Sequence, residues 1–190
     1  MNLGEIEMDA RFKELVNAAK ILFTTKGYGE VGIRDICEAA GCSPVQAYRL
    51  GLSKIDLLAE VSIALTNDQI QVIPAHNKIK DSEDIDAFII RYLTLLYESD
   101  IENIKIRRET AAYGWMWSAK YEERIVQQVF ALLSPIVQVF ESNSFDRIEA
   151  RCLGIWSLYY VGFRGAAVHQ QTANQCINSI ADTIKILSSK

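Results

Sequence analysis

Ile33 to Lys54 reads IRDICEAAGCSPVQAYRLGLSK, and the punctuation inside this stretch decides the fold. Ser43, Pro44 and Gln46 form a compact helix start: Ser at the cap, Pro at the first helical position, and Gln three residues after the cap to close a capping box. Ahead of them, Ile33, Ile36, Cys37 and Ala40 share one face of a short helix, and Gly41 is available as its left-handed stop. Only Gly41 and Cys42 separate the two helices, which must turn sharply against each other as a helix-turn-helix. The second helix runs to Leu50 and stops at Gly51. Ser53, with Asp56 three residues on, opens a longer helix that Pro74 is expected to end.

Upstream, Phe12, Leu15, Val16, Ala19, Leu22 and Phe23 recur at the spacing of one helical face, which predicts a helix starting after Asp9 and stopped by Lys26-Gly27. Downstream of a polar link at His76-Asn77-Lys78, helical periodicity resumes over about 84–98, 101–118, 121–141, 145–170 and 172–188. No run shows the alternation of a half-buried strand. The expectation is an all-α, nine-helix, two-domain protein, with a three-helix helix-turn-helix domain over 1–53. An antiparallel helical bundle should follow over 54–190, because the connections are short.

The 190 residues are 49% hydrophobic and 23% charged, with only 3 Pro and 10 Gly, which excludes a disordered or collagenous chain. A net charge of −4 gives no bulk attraction to nucleic acid or to an anionic membrane, so any such binding needs a local patch. Lys20, Lys26, Arg34, Arg49 and Lys54 outnumber Glu30, Asp35 and Glu38 over the same span, a weak one. The acidic N-terminus lacks the pattern of a secretory signal, and the apolar window from Ala150 to Val168 is broken by Arg151 and Arg164. A cytoplasmic protein that does not enter a membrane is expected. Cys37, Cys42, Cys152 and Cys176 form no CxxC pair and, with His76 and His169, no metal-ligand spacing; reduced core thiols and no metal follow. Neither His stands in a recognisable arrangement with a nucleophile, and the carboxylates of Glu122, Glu123 and the Asp81–Asp86 cluster sit at helix starts. No catalytic residue, no enzyme activity and no cofactor are expected.

A set of residues at fixed spacings over about 10–60 resembles the DNA-binding domain of the TetR family of bacterial transcriptional regulators. It comprises Ala18-Ala19, Leu22-Phe23, Lys26-Gly27-Tyr28, Ile33-Arg34-Asp35-Ile36, Ala39-Ala40-Gly41, Ser43, Tyr48, Ser53-Lys54 and Leu57-Leu58. Three positions depart from the family pattern. Gly32 stands where Ser or Thr commonly caps the second helix, Val45 where Gly is frequent, and Gly51 where an aromatic is frequent, with a cost in packing expected at the last. The resemblance implies a ligand-responsive homodimer that binds a palindromic operator in double-stranded DNA, acts as a repressor and is released by a small-molecule effector. The bundle over 54–190 would then be the effector-binding and dimerisation domain. A helical ligand-binding or protein-interaction module with a degenerate helix-turn-helix is the alternative.

A recognition helix puts its N-terminal residues into the major groove, so side chains there must suit base edges. Gln46 offers a donor and an acceptor for adenine, Pro44 and Val45 offer apolar surface for a thymine methyl, and Arg34 on the preceding helix suits guanine. Ser43, Tyr48, Arg49 and Lys54 are placed for phosphate. Ser43 and Gln46 could equally do no more than cap the helix.

In the bundle, Phe88, Tyr92, Tyr113, Trp115, Trp117, Phe130 and Trp156 read as core, or as the walls of an effector pocket, which combines apolar surface with a few polar tips. The helix through Leu153, Trp156 and Tyr160 is apolar nearly all round, and Ile177, Ile180 and Ile184 add a second stripe. Together these six predict a two-fold dimer interface, the alternative being a central helix buried wholly within its own chain.

Overall fold

The computed structural model describes residues 3–190; the side chains of residues 3–6, 75, 76 and 118, His76 among them, lie outside the description. All the regular structure in the described residues is helical. The helices are α1 (Leu3–Thr25), α2 (Ile33–Ala39), α3 (Pro44–Arg49), α4 (Lys54–His76), α5 (Ile85–Glu102), α6 (Ile104–Ser142), α7 (Ile148–His169), α8 (Ala173–Asn178) and α9 (Ala181–Leu187).

The chain divides into two compact units, and the divisions fall inside helices. One unit is the chain up to Leu65 together with Lys105–Ile125; the other is Thr66–Ile104 with Val126–Lys190. The first unit therefore takes in more than residues 1–53: the opening turns of α4 and the N-terminal half of α6 belong to it.

In the first unit, Leu15, Ala19 and Phe23 of α1 meet Ile36 and Cys37 of α2, Ala47 of α3, Leu57, Leu58 and Val61 of α4, and Ile106 of α6. A second cluster joins Ala59 and Ile63 of α4 to Trp117 and Tyr121 of α6. In the other unit, α5 packs with α7, α8 and α9, around Phe88, Tyr92, Leu96, Tyr97, Ile136, Phe140, Ile155 and Tyr159. Its aromatic hydroxyls are satisfied in place. Tyr92 donates to the Leu132 carbonyl at 2.6 Å, Tyr97 to the Tyr159 carbonyl at 2.8 Å, and Tyr159 to Asp100 Oδ2 at 2.7 Å, while Gln69 donates to Asp100 Oδ1 at 2.9 Å. Gly162 has no side chain where the Tyr97 hydroxyl lies against it; a Cβ would collide.

Several boundaries differ from the sequence reading. The segments 101–118 and 121–141 are one helix, α6, because the polar link between them contains no Gly or Pro to break it. Pro135 sits inside α6 and Pro74 inside the last turn of α4; Pro74 gives up one backbone donor there without stopping the helix two residues early. The segment 172–188 is instead two short helices, α8 and α9. The α6 stretch Ala119–Ser142 is long and apolar enough to cross a membrane, yet it begins with Lys120, Glu122, Glu123 and Arg124 and buries Leu132, Leu133, Ile136 and Phe140 in the core.

Candidate nucleic-acid interface

The ends of α2 and α3 set the geometry of the helix-turn-helix. Both close with the same pair of hydrogen bonds around a left-handed glycine. At α2, Gly41 (φ 62°) lets its own N–H reach the Glu38 carbonyl at 3.0 Å and the Cys42 N–H reach the Cys37 carbonyl at 2.9 Å. At α3, Gly51 (φ 69°) places the Gly51 N–H 3.0 Å from the Tyr48 carbonyl and the Leu52 N–H 3.1 Å from the Ala47 carbonyl. Gly51 is thus the stop that α3 requires. Leu52 next to it is buried against the core. Arg11 of α1 fixes the turn from outside, donating to the Ala40 carbonyl at 3.0 Å and to that of Gly41 at 3.4 Å.

The helix starts are also built. Ser43 Oγ accepts the Gln46 N–H at 3.4 Å, and Gln46 Oε1 accepts the Ser43 N–H at 2.8 Å. At α2 the missing hydroxyl of Gly32 leaves half a box: Asp35 Oδ2 accepts the Gly32 N–H at 2.6 Å. At α4, Ser53 donates its N–H to Asp56 Oδ2 at 2.9 Å.

With both ends anchored, α3 turns Ala47 inward and Val45 (60% exposed), Gln46, Tyr48 (71% exposed) and Arg49 outward. Arg34 and Ser43 are exposed beside them, and Pro44 is half-buried. Lys54 is held: its ammonium lies 4.1 Å from the centroid of the Tyr28 ring, which in turn packs on Phe23 and Tyr113 at 5.2 and 5.1 Å. Burial, then Tyr113 and Glu109, push the Tyr28 hydroxyl above the usual phenol range.

Behind α3, polar contacts join the start of α4 to α6. Lys120 and the Tyr121 hydroxyl both donate to Asp56 Oδ1, and Lys120 also reaches the Gly51 carbonyl at 3.1 Å. Burial alone would raise the Asp56 pKa; the hydrogen bonds from Lys120 and Ser53 outweigh it and hold the carboxyl at about 2. One turn on, Arg124 grips Glu60 with two bonds of 2.7 and 2.9 Å. The sequence reading missed this set, because nothing in local periodicity pairs residues some sixty positions apart.

The seven aromatic pocket candidates are not brought together. Phe88 and Tyr92 fill the core of one unit, where Trp156 stacks on Tyr159; Tyr113 and Trp117 belong to the other. Trp115, 91% exposed, and Phe130, also exposed, correct the expectation that these large rings point inward. Trp117 Nε1 and Thr110 Oγ1 are buried without a hydrogen-bond partner among the described residues.

The dimer candidates divide as well. Ile177, Ile180 and Ile184 are buried in the chain's own core, since α8 and α9 fold back on α5 and α7. Leu153 and Tyr160 are exposed, with Val161 and Val168 on the same face of α7, and Trp156 is half-buried at its edge. Among the described residues no group of three His, Cys, Asp or Glu could hold a metal ion.

No known protein-family model matches this sequence, and no curated protein does. Solved structures do match. A Mesorhizobium loti protein assigned to the TetR family of transcriptional regulators superposes with a TM-score of 0.66 at 15% identity, over 95% of this chain and 96% of its own. A TetR-family assignment from Syntrophomonas wolfei gives 0.66 at 19% identity, over 94% of each chain. GusR of Salmonella enterica gives 0.62 at 16% identity, over 94% of this chain and 95% of its own. The chain has the TetR-family fold.

Proposed function

We propose that this chain is a cytoplasmic transcriptional regulator that binds palindromic operator DNA as a homodimer and acts as a repressor released by a small-molecule effector. The observation that carries the reading is α3: a short helix pinned at both ends, with one residue inward and Val45, Gln46, Tyr48 and Arg49 outward. A major groove about 12 Å wide admits such a helix. Arg34, Pro44, Val45 and Gln46 would meet base edges, and Ser43, Tyr48, Arg49 and Lys54 phosphates. The fold shared with TetR-family proteins supports the same reading. The dimer is assigned to the exposed α7 face of Leu153, Tyr160, Val161 and Val168, with Trp156 at its edge.

The effector is assigned to the α4–α6 cluster of the first unit. Thr110 and Trp117 are two turns apart on α6, about 10 Å along its axis, and each holds a buried polar atom that a ligand acceptor would satisfy. Tyr113 stands between them.

Selection from random duplex DNA tests the reading. An inverted repeat should be enriched, with half-sites about 34–36 Å or one further helical turn apart. Recovery of unrelated sequences, with binding that depends on salt alone, would overturn it.

A further inference from the structure

The stop of α2 brings together two thiols that DNA recognition does not use. Cys37 and Cys42 occupy the two positions of this helix-end motif whose side chains characteristically touch. Adding backbone bond lengths to the 2.9 Å hydrogen bond from the Cys42 N–H to the Cys37 carbonyl caps their Cα separation at about 7 Å. Disulfides take separations of about 4.4–6.8 Å. Burial first, then Cys42 beside it, push the Cys37 thiol up to about 11. Cys37 is sealed in the core, whereas Cys42 is only half-buried and open to a small oxidant; Cys152 and Cys176 are buried.

We propose that Cys37 and Cys42 form a peroxide-sensitive oxidation site. A hydroperoxide breaks its O–O bond on the Cys42 sulfur, giving a sulfenic acid and leaving as an alcohol, or as water from hydrogen peroxide. The Cys37 sulfur then attacks the Cys42 sulfur. Its S–H bond and the S–O bond break, the S–S bond forms, and the proton leaves with the hydroxyl as water. The dithiol loses two electrons and the peroxide gains them. Closure brings the two sulfurs to about 2.05 Å and draws the turn carrying the Ser43 cap toward α2. That consequence for α3 rests on the DNA-binding reading; the disulfide does not.

Two measurements test this. The full-length protein is treated with hydrogen peroxide, unfolded, alkylated and digested with trypsin, which releases residues 35–49 as one peptide holding both cysteines. That peptide should be two hydrogens lighter and unalkylated, and dithiothreitol should restore it, while Cys152 and Cys176 stay alkylatable. In Cys42→Val, a close match in size, Cys37 should remain alkylatable. Alkylation of both Cys37 and Cys42 after peroxide, or Cys42 carrying two or three oxygens beside an alkylated Cys37, would overturn the site. Reduced and oxidised protein are then titrated onto the DNA selected by the reduced form, and roughly tenfold weaker binding by the oxidised form is expected. Equal affinities would overturn the effect on α3. Failure of the reduced protein to select any DNA would overturn the DNA-binding reading and leave the peptide masses to decide the disulfide.

Discussion

Gln46 gives its side-chain carbonyl to the Ser43 N–H, 2.8 Å away, so the residue best suited by type to adenine is committed to holding the start of its own helix. Only its amide hydrogens remain for a base edge, and two-point recognition of adenine needs the carbonyl as well. Gln46→Ala should therefore lower stability by about 0.5–2 kcal/mol. Gln46→Glu, which keeps the acceptor and adds favourable charge at a helix start, should restore the unfolding midpoint without restoring base preference. A Glu variant that melts as low as the Ala variant would show that the cap is not the main role.

Lys54 has two tasks that separate by measurement. Its ammonium over Tyr28 stabilises the first unit by about 0.5–1 kcal/mol, and on the DNA-binding reading it also meets a phosphate. Lys54→Gln should lower the melting temperature slightly, weaken binding to all sequences alike, and reduce the salt slope by about one. An unchanged salt slope would remove Lys54 from the phosphate contacts.

Two aspartate substitutions distinguish core from interface. Ile184 is 0% exposed, so Ile184→Asp buries an unpaired carboxylate and should unfold the unit that contains it. Val161, 62% exposed on α7, should tolerate Asp in the monomer while the dimer splits. Sedimentation and thermal unfolding of both variants check this; a Val161→Asp protein that still sediments with the wild type takes the α7 face out of the interface.

The Asp56 carboxyl, held at about 2, predicts an acid dependence of stability. A folded pKa below the unfolded value of ~3.9 contributes fully above that value and is lost as pH falls through the folded one. Wild type should exceed Asp56→Asn by on the order of 2 kcal/mol near neutrality. The gap should narrow below about pH 4 and close near pH 2. A gap of constant size across that range would rule out the ionised carboxyl as its source.

The helix-turn-helix was largely legible because its signals are local. Ser43-Pro44 with Gln46, Gly41, and Ser53 with Asp56 each report on a helix end through groups a few residues away. Periodicity says less. The stripe of Ile177, Ile180 and Ile184 announced a buried face correctly, but a stripe does not say whether the covering surface is its own chain or a partner. Trp115 and Phe130 show the converse, since a large aromatic ring on a long helix need not point inward. Asp56 with Lys120, and Glu60 with Arg124, depend on which helices the chain brings side by side, which no local pattern records.

The first unit is closed by residues from a second, distant stretch of the chain: Ile106, Trp117 and Tyr121 cover Leu57, Ala59 and Ile63. A ribosome that has just released Leu65 must still add about 60 residues before that cover exists, several seconds of synthesis at ~5–20 residues per second. The helix-turn-helix, though translated before α5, is therefore completed only after all of α5 has been made. Until then its apolar α4 surface is in the care of whatever receives the nascent chain.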